Sequence, residues 1–216
     1  MGVLDGVWDP KVAGINLTKL AAGDEGLASR YEKLKSLVKG GREEKFLKLM
    51  LWLEAATAWT EAPASMKYHL NKPHGLLEHS VNVAETLLKL NETMEAGISE
   101  ESCVIVGLLH DLGKAGVAGK PQYIENELFE QKSNEDDSAE YPYSFNNELV
   151  YLSVPIRALY LILPRLKLSE EEVQAIAYHD GQYVDDNRSV AAREEKLTLL
   201  LQYADNWNGF IKEMGK

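Results

Sequence analysis

The sequence predicts an all-α domain, and three observations carry that expectation. Apolar residues recur at three- and four-residue steps along most of the chain, the stripe of a helix with about 3.6 residues per turn. Runs that alternate polar with apolar residues are scarce, so strand patterns are few. Helix-start signatures also occur: Ser99 precedes Glu100 and Glu101, and Ser169 stands ahead of Glu172 as a capping box.

Each element follows in turn. Gly2, Gly6, Pro10, Gly14 and Gly23 make the first twenty or so residues an irregular arm before a helix near 26 to 39. Residues 43 to 60 place Phe46, Leu49, Met50, Leu53 and Ala56 on one helical face. From 75 to 90 the apolar set is Leu76, Leu77, Val81, Ala84, Leu87 and Leu88. From 99 to 112 it is Val104, Ile105, Leu108, Leu109 and Leu112. Val173, Ile176 and Ala177 follow the capping box, and a last helix carries Leu197, Leu200, Leu201 and Ala204. Between them, residues 125 to 140 hold seven acids against the single base Lys132, which reads as a solvated surface loop. No repeat of roughly 20 to 50 residues is visible.

At 216 residues and 45% hydrophobic, the chain is long enough for one compact domain with a substantial core. It has no apolar run of about eighteen residues and no secretion-signal pattern at its start, so a cytoplasmic protein without a membrane partner is expected. The lone Cys103 fits a reducing compartment and a place in the core. A net charge of -11 opposes broad binding of long nucleic acid, which depends on Lys and Arg displacing counterions. No GxxxxGK[ST] phosphate loop and no GxSxG elbow occurs. Trp8, Trp52, Trp59 and Trp207 could stack on a base, but three of the four lie in or beside apolar stripes, so packing is the expectation for them.

The chain has five histidines, and three of its helical segments turn ligand-capable groups inward. His79 shares a face with Leu76 and Val83. His110 and Asp111 close the next apolar run, and Asp205 follows Ala204 on the last stripe. Burying four such groups apart would cost each its water, whereas one cation satisfies all of them. Two imidazoles with two carboxylates suit Mn, Fe, Zn, Co or Ni, with Mg a further candidate, better than calcium. Lys114, one helical turn beyond His110, could meet phosphate charge or be an exposed lysine at a helix end.

In the order His79, His110-Asp111, Asp205, with "HDLGK" and "YADNW" at the later positions, the chain resembles the HD-domain metal-dependent phosphohydrolases. "APASMKYHLNKPHGLLEHSVNVAETL" and "LSEEEVQAIAYHDGQY" are similar to HD domains of the 3′→5′ exoribonuclease type and to small phage and bacterial HD hydrolases. The resemblance covers roughly residues 45 to 207. It implies an HD-domain-like helical bundle, with an arm and first helix over 1–40 and the hydrolase domain over 41–216. It also implies that His79, His110, Asp111 and Asp205 hold a primary metal, Asp111 being able to bridge two ions. His179 matches a second-site histidine, but Val154 stands where the other would be, so one ion is expected to be held firmly and a second weakly or not at all. His179 is then a phosphate contact or proton donor. His69 falls near the substrate, His74 replaces a glycine, and Arg157 is a phosphate partner through its planar donor fork.

The resulting expectation is hydrolysis of a phosphoester in a nucleotide or small phosphorylated compound. Asp111 serves metal and turnover; His69, Lys114, His179 or Arg157 neutralises charge or protonates the leaving oxygen. Two alternatives stand beside it: a 3′→5′ exonuclease on short RNA or DNA ends, and a degenerate HD domain that binds a nucleotide or partner without hydrolysis.

Overall fold

The computed structural model describes residues 25–126 and 141–214. The helices are α1 (Glu25–Lys35), α2 (Glu43–Ala56), α3 (Gly75–Thr93), α4 (Glu100–Leu109), α5 (Val154–Ile162), α6 (Glu170–Ala177) and α7 (Lys196–Asn206). A π-helical turn, Trp207–Lys212, continues α7, and short 3-10 turns include Leu112–Ala115. The arm, Trp8 and most of the acidic stretch lie outside the described residues.

Helix α3 runs through the middle, packed against α4, α7 and α1, while α6 lies between α5 and α7. Every residue of α4 from Cys103 to Leu109 is buried, because the helix is covered on all sides. Contact between α3 and α4 is unusually close at Gly107, where an added Cβ would lie 2.6 Å from the Ala84 Cα. Only glycine allows that approach. Helix α1 adds Leu27, Tyr31 and Leu34 to the core. Its Tyr31 hydroxyl donates to the buried Glu54 carboxylate at 2.8 Å and accepts from Trp59 Nε1 at 3.0 Å, so this polar group is satisfied in place.

The start signatures act as expected. Ser99 Oγ accepts from the Ser102 amide at 3.1 Å, and Ser169 and Glu172 form the reciprocal capping box at 3.2 and 2.8 Å. Glu172 also binds the Arg42 guanidinium at 2.7 and 2.9 Å and the Ser102 hydroxyl at 2.8 Å. One buried carboxylate thereby gathers the beginnings of α4 and α6.

Several boundaries differ from expectation. Helix α2 stops at Ala56 because Thr57 turns extended and its Oγ1 donates to the Leu53 carbonyl at 2.8 Å. Helix α1 ends at Lys35 rather than near 39. Periodicity did not reveal α5, which begins with Pro155 in its first turn, where a missing N–H costs nothing. A hairpin-like pair, β1 (Tyr123–Glu125) with antiparallel β2 (Tyr143–Phe145), also escapes sequence reading, since three-residue strands are too short to show alternation. Trp59 is fully buried and Trp52 stacks on Arg165, whereas Trp207 is 52% exposed. The wide turn that begins at Trp207 rotates it off the α7 stripe and buries Asn208 and Gly209 instead. No helix among the described residues is long and apolar enough to cross a membrane.

Candidate metal centre

Four of the five histidines stand in a row. Ring centroids are 4.8 Å apart from His69 to His79, 5.4 Å from His79 to His110 and 4.9 Å from His110 to His179. His110 caps α4 and His179 follows α6, so the two helices deliver their rings from their ends. Each ring nitrogen Nδ1 sits 2.9 Å from the carbonyl three residues back, Gly107 for His110 and Ile176 for His179. Those carbonyls belong to last turns and have bonding capacity to spare. Donation from Nδ1 leaves Nε2 as the free ligand atom on both rings.

His79 lies inside α3, and its Nε2 faces the same space. It is 3.0 Å from Asp205 Oδ1 and 3.6 Å from Asp111 Oδ2; His110 Nε2 is 3.6 Å from Asp111 Oδ2 and 3.9 Å from Asp205 Oδ1. The Nε2 atoms of His79 and His110 are buried without an aligned hydrogen-bond partner, the 3.0 Å approach to Asp205 included. Atoms bound at about 2.1 Å to one ion stand about 3.0 to 3.4 Å apart at octahedral or tetrahedral angles, which these separations approach. The expected quartet therefore converges, and its nitrogen and oxygen donors fit a divalent transition metal. A second trio, His110, Asp111 and His179, shares two members with it. Asp111 turns Oδ1 to His179 Nε2, at 3.3 Å, and Oδ2 to the Nε2 atoms of His79 and His110, at 3.6 Å each, so its two oxygens face different groups of donors.

Lys114 is neither exposed nor on a helical face with His110. The α-helix ends at Leu109, and the 3-10 turn Leu112–Ala115 folds the lysine inward so that Nζ sits 2.5 Å from Asp111 Oδ2. Gly113 permits the turn to lie against α5, for a Cβ there would stand 2.2 Å from the Val154 carbonyl oxygen. Val154 thus meets this turn through its backbone and offers no ligand side chain. Arg157 is buried, with its guanidinium bonded to Gln122 and, at 2.8 Å, to the Val150 carbonyl. It lines a groove of about 440 Å³ with Tyr123 rather than joining the histidine row. His74 adopts φ 66, a conformation glycine takes readily, and its Nδ1 lies 2.5 Å from the Thr60 carbonyl, a local role.

Charge follows from burial and neighbours. Burial opposes the charged form of His79, but the carboxylates of Asp205 and Glu213 raise it to about 10. His179 is likewise opposed by burial and raised to about 9 by Asp111 and Asp180. His110 is lowered to about 4 by burial, and His69 to about 4 by burial and the nearby His79 charge. Burial alone would raise Asp111, yet the Lys114 ammonium and the neighbouring histidines hold it well below the usual carboxylate range.

Sequence reading missed two participants. Asp180 lies 3.5 Å from His179 Nε2, signalled only by its place beside that histidine. Glu213 reaches back from the C-terminal turn to His79 Nδ1 at 2.8 Å, and nothing in the local pattern marks it. Compared with known proteins, residues 76–207 match the family model described as HD domain. No curated protein and no solved structure matches the chain.

Proposed function

The chain belongs to the HD-domain family of metal-dependent phosphohydrolases, and from that premise we propose that it cleaves a phosphoester of a nucleotide or related small phosphorylated compound. The convergence of His79, His110, Asp111 and Asp205, with two buried Nε2 atoms lacking any other partner, is the observation that carries this reading. A divalent cation held there supplies an acidified water and polarises a phosphoryl oxygen.

The chain's own groups divide the remaining work. Lys114, kept cationic beside Asp111, meets phosphate charge. His179 holds a proton at neutral pH and donates it from Nε2 to the departing oxygen. His69 is neutral at that pH and so contributes a hydrogen bond rather than a charge. Arg157, beside the groove lined by Tyr123, binds a more distant part of the substrate. A net charge of -11 favours a small substrate over the end of a long polyanion.

One observation favours the non-hydrolytic reading: the Lys114 ammonium already neutralises part of Asp111. Metal analysis of the purified protein, followed by phosphate release from nucleotides, oligonucleotides and generic phosphoesters with Mn present, separates the two. Stoichiometric metal with turnover lost in Asp111→Ala is expected. A protein that holds metal but releases phosphate from none of these compounds is a binding domain, and unchanged turnover in Asp111→Ala refutes the mechanism.

A further inference from the structure

We infer that Glu213 is a positioning residue for the metal centre, through which the C-terminal turn sets the orientation of His79. The inference rests on the metal reading above and adds a residue outside the ligand quartet. His110 and His179 sit at helix ends, where last-turn carbonyls accept their Nδ1–H groups. His79 has no such carbonyl, because it lies inside α3, where the neighbouring carbonyls serve the helix ladder. Its Nδ1 partner must come from elsewhere in the fold, and Glu213 Oε2 supplies it at 2.8 Å.

The carboxylate is built into place rather than resting on the surface. Its side chain is 4% exposed, and its other oxygen accepts from Asn82 Nδ2 at 2.9 Å. Asn82 is fixed in turn by Arg30 of α1, whose guanidinium donates to Asn82 Oδ1 at 2.6 Å. The π-helical turn is what brings Glu213 within reach. Asn208 stabilises that turn by donating to the Ala204 carbonyl at 2.7 Å and to Thr86 Oγ1 at 3.0 Å. The turn passes the His69 ring at Gly209, where an added Cβ would stand 3.5 Å from His69 Cε1, an ordinary contact distance. A carboxylate accepting from Nδ1–H holds the ring in the tautomer that offers Nε2 to a cation and makes that nitrogen more basic.

The test uses Zn alone as probe on the full chain. Zn affinity is measured by chelator competition in the wild type, Glu213→Gln and Glu213→Ala, and the imidazole Nδ1–H resonance of His79 is followed by NMR in the Zn-loaded proteins. The inference expects a loss of roughly 10- to 100-fold in affinity for Ala and a smaller loss for Gln, with the Nδ1–H signal shifted in Gln and exchange-broadened in Ala. The Gln variant keeps the side chain's shape and carries the test should the Ala variant fail to fold. A wild type that binds Zn and a folded Gln variant with the same affinity and the same Nδ1–H resonance overturn the inference alone. A wild type that binds no Zn overturns the metal reading, and the inference with it.

Discussion

Gly107→Ala tests whether the helix crossing sets the ligand geometry. The new Cβ would lie 2.6 Å from Ala84 Cα, 2.8 Å from Ala84 Cβ and 3.1 Å from Ala84 N. Carbon atoms in good contact stand about 3.5 to 4.0 Å apart, so α3 and α4 must separate by about 1 Å. Overpacking of this kind costs about 1 to 3 kcal/mol, which for a chain of this size lowers Tm by about 4 to 8 °C at the middle of that range. The same displacement acts on His79 and His110, which lie on α3 and at the end of α4 on either side of the metal space. Thermal denaturation of the metal-free protein and Zn competition are the assays, and both should worsen. Adding Ala84→Gly relieves the Cβ contact but not those to Ala84 Cα and N, so the double variant should recover only partly. A Tm within about 1 °C of wild type together with undiminished Zn affinity would refute the reasoning, because it would show the crossing to be soft.

Other expectations follow from the same coordinates. Metal uptake near pH 7.5 should release one proton, from the Nε2 of His79 raised to about 10, and none from His110 at about 4; a second proton appears only where a second ion also displaces the one on His179, raised to about 9. Calorimetry in buffers of different ionisation enthalpy counts them, and uptake without proton release contradicts the assigned charges. Glu172→Ala removes the acceptor of Arg42, Ser102 and the Ser169 amide together and should destabilise by about 3 kcal/mol or more, read as a fall in the denaturation midpoint. Burial pushes the Cys103 thiol up to about 12, so in the native protein it should resist thiol reagents at pH 8 and react after unfolding; rapid native labelling would show that α4 opens.

Much of this architecture was legible in the residues. Helices α2, α3 and α7 bury a stripe, which writes itself into spacing, and the fully covered α4 shows as an apolar run. The convergence of the proposed ligands was legible for a related reason: His79, His110 and Asp205 occupy inward positions where polar groups need a partner. Glu213 was not, because its role depends on a π-helical turn that changes the register after Asn206, and spacing read at a regular helical period points such residues the wrong way. Of the two readings of Lys114, spacing could not choose, because the break between Leu109 and Leu112 is a backbone event, with Asp111 at φ -97 and ψ 10, that hydrophobic periodicity does not register. The strands over 123–125 and 143–145 pair across a sequence gap far longer than either strand, so no local signal joins them.

Helices α4 and α6 both finish at the histidine row, and their aligned peptide groups leave roughly half a negative charge at each finish. The main chain thus adds negative potential at the proposed metal site. A cation held there would offset that potential, and on the proposed function a phosphorylated molecule would then be drawn to the cleft. Stripping the ion should weaken capture of that molecule as well as its cleavage.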